Sequence, residues 1–162
     1  MHVENCAIQG FTNAGFCVSG TANSSITTFV KDTVMRNSQI NRVDMGKAVF
    51  ENCRFENDSE GWEVNAKVTL HNCVLAGNPF DGLLCAGGQT MVDNCQIFDN
   101  GTGIDGLSSQ VRVSNSSITN NTTGLFVFFG ATILLRILNS VATNTVEDNG
   151  TNGAFTGVYS AK

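Results

Sequence analysis

Apolar and polar residues alternate in short runs along this chain, and the runs return in the same order every twenty-odd positions. One unit reads apolar–x–apolar–x–Asn–small–x–apolar–x–x–Asn. Clear copies are Val68-Thr69-Leu70-His71-Asn72-Cys73-Val74-Leu75 and Val111-Arg112-Val113-Ser114-Asn115-Ser116-Ser117-Ile118. Its small residue falls at Cys6, Thr33, Cys53, Cys73, Cys95, Ser116 and Ser140, at intervals of 27, 20, 20, 22, 21 and 24 residues. A second unit follows: Gly15-Phe16-Cys17-Val18, Gly61-Trp62-Glu63-Val64, Gly82-Leu83-Leu84-Cys85, Gly103-Ile104-Asp105-Gly106 and Gly124-Leu125-Phe126-Val127. Arg42-Val43-Asp44-Met45 takes that place in the second period, with Arg for Gly. A period of two marks a strand with one buried face. So short a repeat cannot hold a helix, a strand and ordinary turns, and no i, i+3, i+4 pattern appears. The prediction is all-β: three strands and three turns per period, stacked as a three-sheet parallel solenoid of about seven coils.

Alternation assigns the interior. In the Gly-led strands the inward residues are Phe16/Val18, Val43/Met45, Trp62/Val64, Leu83/Cys85 and Leu125/Val127. In the next strand they are Val30, Ala48/Phe50, Val68/Leu70, Val92, Val111/Val113 and Leu135/Ile137. In the third they are Cys6/Ile8, Thr33/Met35, Cys53/Phe55, Cys73/Leu75, Cys95/Ile97 and Ser116/Ile118. Equivalent side chains then stack in files, with adjacent coils ~4.8 Å apart.

With these residues in view the chain resembles the pectin-lyase-like right-handed parallel β-helices over essentially its whole length. The resemblance implies a right-handed coil and a tight turn between the second and third sheets, whose Asn side chains form a ladder. Asn5, Asp32, Asn52, Asn72, Asn94, Asn115 and Asn139 match that turn. Asn tolerates left-handed backbone there, and its amide can bond the turns above and below. Residues 1–144 read as the solenoid, and 145–162, where the period breaks, as a cap or tail folding back over Phe126, Phe128 and Phe129.

Composition narrows the partners. A net charge of −5 argues against a nucleic-acid backbone or an anionic membrane surface. No apolar run reaches the ~18–20 residues of a membrane span. The start, Met1-His2-Val3-Glu4-Asn5, lacks a basic n-region and an apolar h-region, so a soluble chain without a signal peptide is expected, its compartment unknown. Four cysteines share one inward repeat position and read as small core fillers. Without a C-x-x-C pair a structural zinc site is not expected. His71 falls on an outward file with Glu51 and Asp93 and reads as a surface residue.

The outer face of the Gly-led sheet carries the best chemistry. Its predicted exposed file is Cys17, Asp44, Glu63, Leu84, Asp105, Phe126, with Glu60 and Asp81 just before the strands and Arg42 beside Asp44. Carboxylates one or two coils apart would be ~5 or ~10 Å apart, spacings that bracket retaining and inverting glycoside hydrolysis. The resemblance implies polysaccharide binding along this sheet. Asp44, Glu63 and Asp105 are then the candidate catalytic carboxylates, Arg42 a base or substrate clamp, and Glu60, Asp81 and Phe126 substrate-binding residues. No metal or cofactor is expected on this reading; Ca²⁺-assisted β-elimination of a uronate, as in pectate lyases, is the variant that would need one. The leading expectation is a module binding an acidic or neutral carbohydrate, with its processing, by a lyase-like or glycoside hydrolase-like reaction, left open. The alternative is a non-catalytic assembly module, since the pattern is already in phase at Val3 and an uncapped coil invites homo-oligomerisation or continuation in a longer parent chain.

Overall fold

The computed structural model describes residues 1–20, 25–150 and 154–161, and among them every regular element is a strand. The first coil holds β1 (His2–Glu4), β2 (Ala7–Gln9) and β3 (Ala14–Val18), and the second β4 (Thr27–Lys31), β5 (Val34–Arg36) and β6 (Ile40–Val43). The third holds β7 (Lys47–Glu51), β8 (Arg54–Glu56) and β9 (Gly61–Val64), and the fourth β10 (Lys67–His71), β11 (Val74–Ala76) and β12 (Asp81–Cys85). The fifth holds β13 (Gln89–Asp93), β14 (Gln96–Phe98) and β15 (Thr102–Leu107), and the sixth β16 (Gln110–Ser114), β17 (Ser117–Thr119) and β18 (Thr123–Phe128). A single long strand, β19 (Thr132–Ala142), then runs through two faces, followed by β20 (Val146–Gly150) and β21 (Ala154–Ala161).

All pairing is parallel, strand n with strand n+3 as far as β16, after which the long β19 serves both β16 and β17, β18 pairs with β20 and β19 with β21, so the chain winds as a solenoid with three faces. The expected fold stands, and so does most of the interior it implies. Val30, Phe50, Leu70, Val92, Val113 and Leu135 form one file, each at most 1 % exposed. Phe55 and Trp62 stack at 4.3 Å between centroids, with Phe50 edge-on to Trp62 at 4.6 Å. Cys53, Cys73 and Cys95 form a buried file. Their thiols donate to backbone carbonyls at 3.3–3.7 Å, and all six cysteines are free. Hydrogen bonding to its neighbours Cys53 and Cys95, then burial, holds the Cys73 thiol far above its ordinary pKa, and burial pushes Cys85 up to about 12.

Two asparagine ladders run along the coils. The expected one lies in the tight turns: Asn5, Asp32, Asn52, Asn72, Asn94 and Asn115 all have φ between 48° and 57°. Asn94 donates to Asn72 at 2.9 Å, Asn72 to Asn52 at 2.6 Å and Asn52 to Asp32 at 2.9 Å. The second ladder is buried and uses the last Asn of the repeat unit. There the backbone N–H of Asp58, Asn78, Asn100 and Asn121 donates to the side-chain oxygen of Asn78, Asn100, Asn121 and Asn144 respectively, at 2.8–3.1 Å. This ladder satisfies donors that a turn entering the core would otherwise strand.

Three expectations shift. Asn139 is absent from the left-handed turn residues; it is 6 % exposed and accepts from the Ser116 N–H at 3.0 Å. It therefore takes the small-residue file, Ser140 pairs with Ser117, and the strand before it buries Ile133 and Leu135, while the Ile137 side chain, expected inward, lies outside the described residues. The corner holds one residue more than the coil below it: Leu135 to Ser140 takes five steps where Val113 to Ser117 takes four, so the left-handed turn position is not reproduced at Asn139. In the second coil Asn41, with Val43, faces inward where Phe16 and Trp62 do in the neighbouring coils, so Met45 leaves the core. Cys6, expected inward, is exposed, because β2 of the first coil is paired on one side only. Beyond β19 the backbones of β20 and β21 add parallel strands to β18 and β19. The side chains of Val146, Phe155, Val158 and Tyr159, invoked for a cap, lie outside the described residues.

Candidate functional site

The outward file of the Gly-led sheet runs Cys17, Arg42, Glu63, Leu84, Asp105, Phe126, in register from coil to coil. Arg42, not Asp44, fills the second place. The apolar alternation of Val43 and Met45 suggests a frame two residues later than the one adopted. Asn41 can face the core because its polar atoms are met: its Oδ1 accepts the Phe16 N–H at 2.9 Å, and its Nδ2 donates to Asp58 at 2.5 Å. Asp58 in turn accepts the Ser38 N–H at 2.8 Å, and burial raises its pKa.

Asp44 lies beyond the strand end, on the neighbouring outward file. It accepts from Arg42 Nε at 3.0 Å and Nη2 at 2.8 Å, and from Asn65 Nδ2 at 3.3 Å. Asn65 also donates to Glu63 at 2.7 Å. The hydrogen bond to Asp44 raises the Arg42 pKa further, which suits a fixed charge and not a base.

One coil up, Asp81 opens β12 in register with Gly61. A Cβ at Gly61 would sit 1.6 Å from the Asp81 carbonyl oxygen, and its φ is +78°, so only glycine lets the two coils close here. Glu60, Glu63 and Asp81, with Ile40, Phe80 and Leu84, line a groove of about 320 Å³. Phe80 is 65 % exposed at its rim, an aromatic that the repeat pattern did not single out because it lies in a turn. The signal for it was an aromatic between Pro79 and Asp81, where no core position falls. Glu60 is further held by Gln39, whose Nε2 donates to it at 2.6 Å.

Asp105 stands between Leu84 and Phe126 in the file, and its Oδ1 is buried without a partner among the described residues. Desolvation by these apolar neighbours, then repulsion from Asp81, raises its pKa to about 6. Burial likewise raises Asp81, and the Thr102 hydroxyl works against that rise. Glu63 and Asp105 are two coils apart, ~10 Å by strand spacing. Phe126 is half-buried and stacks on Phe128 at 6.2 Å between centroids; Phe129, 63 % exposed, sits against Phe128. The structure thus brings Glu60, Glu63 and Asp81 into one groove, puts Asp105 and Phe126 further up the same face, and ties Asp44 to Arg42 below. The first loop borders this face; its residues 21–24 lie outside the described residues. Among the described residues no cluster of His, Cys, Asp and Glu has the arrangement of a metal site. His71 pairs with Asp93 at 3.0 Å on another face, beside Glu51 as expected.

Fold and site together define a parallel β-solenoid with a carboxylate-lined outer sheet. The family model described as "Right handed beta helix region" matches residues 1–161, and the chain belongs to that family. The coil is right-handed accordingly, consistent with the pectin-lyase-like fold. No curated protein and no solved structure matches the chain. No helix is long and apolar enough to cross a membrane among the described residues.

Proposed function

We propose that this protein is a β-helix module that binds carbohydrate along its Gly-led face, with Asp105 and Glu63 able to act on a glycosidic bond. The observation that carries the reading is the groove in which the exposed Phe80 ring and Leu84 lie beside Glu60, Glu63 and Asp81. An aromatic face with flanking carboxylates offers stacking for a sugar ring and acceptors for its hydroxyls. A neutral glycan suits these acidic walls better than a polyuronate. Asp105, protonated up to about pH 6, suits a general acid, and Glu63 two coils away suits the partner that activates water. A glycan array followed by titration of the best binder tests this. Binding that weakens at least about tenfold in Phe80→Ala, with the fold intact, is the expected result. Absence of any saturable glycan, or binding indifferent to Phe80→Ala, Glu63→Gln and Asp81→Asn together, overturns it.

A second reading has its own observation. β1, β2 and β3 each pair on one side only, and Val3 and Ile8 pack on the core while half-covered. Such an end presents open strand edges that suit stacking against another coil, whether of a second copy or of further chain before Met1. Light scattering across a hundredfold range of concentration separates the two: a constant monomer mass removes assembly through that end.

A further inference from the structure

The cations of this acidic chain are unevenly partnered. Lys31 faces Glu51, Arg42 is held by Asp44, and Arg54 by Glu56. Lys47, Lys67 and Arg112 have no carboxylate within ion-pair distance and no side-chain hydrogen bond among the described residues, and all three are exposed on one face. That face is the outer side of the sheet built by β7, β10, β13 and β16, not the face of the carboxylate groove. Lys47 and Lys67 are in register one coil apart, and Lys67 continues into Gln89 and Gln110. Two residues along, Thr69, Met91 and Arg112 form the parallel file. Lys67 and Arg112, one on each of these files, are left without a protein counter-charge among the described residues, so only an anion from outside could neutralise them.

A pocket fits that demand. Lys67, Gln89, Met91, Gln110 and Arg112 enclose about 150 Å³, with Lys67 and Arg112 at opposite corners, their Cα atoms ~12 Å apart by strand geometry. Two long cationic side chains entering from opposite corners can meet one group at the centre. Gln89 donates to Gln110 at 3.4 Å, which leaves the Gln110 amide protons free for a ligand oxygen. We infer that this pocket is an oxyanion site, sized for one sulfate, phosphate or carboxylate group, with Lys67 and Arg112 as charge partners and Gln110 as a neutral donor. It stands independently of the glycan-binding groove, and failure of either leaves the other intact.

The test is titration of the full ¹⁵N-labelled chain with inorganic sulfate and inorganic phosphate, with ionic strength held constant by chloride. Saturable shifts confined to Gln89, Met91, Gln110 and Arg112, with none at Glu63 or Asp81, are expected. Lys67→Gln and Arg112→Gln should each weaken binding about tenfold or more, the effect of losing one charge-assisted hydrogen bond. Lys47→Gln, outside the pocket, should change it by less than about threefold. Both tested side chains are exposed, so unchanged circular dichroism serves as the folding control. A parallel arm uses sulfated and carboxylated oligosaccharides: tighter binding than the free ions assigns the oxyanion to a glycan, and equal binding assigns it to a free ion. Shifts that never saturate, or that survive both glutamine variants, overturn the site.

Discussion

Truncating Asn100 to alanine should cost this protein far more than altering its counterpart in the outer ladder. Asn100 Oδ1 accepts both the backbone N–H of Asn78 at 3.1 Å and its Nδ2 at 3.0 Å, while its own Nδ2 donates to the Leu75 carbonyl and to Asn121. The residue is 4 % exposed. Asn100→Ala therefore strands two buried donors on Asn78, at roughly 1–3 kcal/mol each, and leaves a small void that polar walls alone would have to hydrate. The expected loss is about 2–6 kcal/mol, a large fraction of a domain's stability. Asn72, by contrast, is exposed, holds φ at 57°, and makes its ladder bonds where water can replace them. Asn72→Gly gives up those bonds but suits the left-handed turn, so the net change should stay within about 0.5 kcal/mol. Urea unfolding followed by far-ultraviolet circular dichroism measures both, provided that the denaturant slope is unchanged. A loss below about 1 kcal/mol for Asn100→Ala, or an equal loss in Asn72→Gly, would refute the claim that the buried ladder carries the turns.

Three further outcomes are expected. Since Asp105 binds its proton more tightly folded than unfolded, its contribution to stability is full below pH ~4 and falls as pH rises through about 6. Asp105→Asn should flatten the stability profile across that window by on the order of 1–2 kcal/mol, allowing for the half-open site, as read by melting at pH 4, 5, 6 and 7; an unchanged slope would remove the desolvated carboxyl from the account. Trp62→Ala opens a cavity against Phe50 and Phe55 and should cost about 3–5 kcal/mol in urea unfolding. Trp62→Phe should cost clearly less, because the indole N–H has no partner among the described residues. A thiol reagent should modify Cys6 and Cys17 in the native protein and reach Cys53, Cys73, Cys85 and Cys95 only on unfolding, as counted by mass spectrometry; fast labelling of any of those four would contradict the buried file.

How far the site could be read before the fold was known depends on the residue. Glu63, Leu84 and Phe126 sit in the expected outward file because apolar neighbours on either side of each pin the alternation, and Asp105 follows from Ile104 and the repeat spacing. The second coil misleads for the same reason: with Asn41 where a core residue belongs, the nearest apolar pair is Val43 and Met45, and the frame slides by two. Its correction needs Asp58, seventeen residues on, and the Phe16 N–H of the coil below. The aligned turn at Asn139 fails because a local Asn-small pair cannot reveal that its corner, from Leu135 to Ser140, is one residue longer than the one from Val113 to Ser117 beneath it. Groove and oxyanion pocket lie between coils, so neighbours such as Phe80, or Lys67 and Arg112, are distant in sequence and belong to no common motif.

Taken alone, the amino-acid order determined the coil: a repeat of twenty-odd residues with period-two runs has no way to bury its apolar faces except by stacking on its own copies. It also indicated the outer ladder over the first six coils, since Asn, or Asp at position 32, recurs where that turn requires left-handed backbone. The tertiary structure decided which polar groups are buried and satisfied, which cations lack partners, and which carboxyl loses its water. Those properties are set by the coils above and below a residue, and hydration and charge depend on what is near in space, not on what is next along the chain.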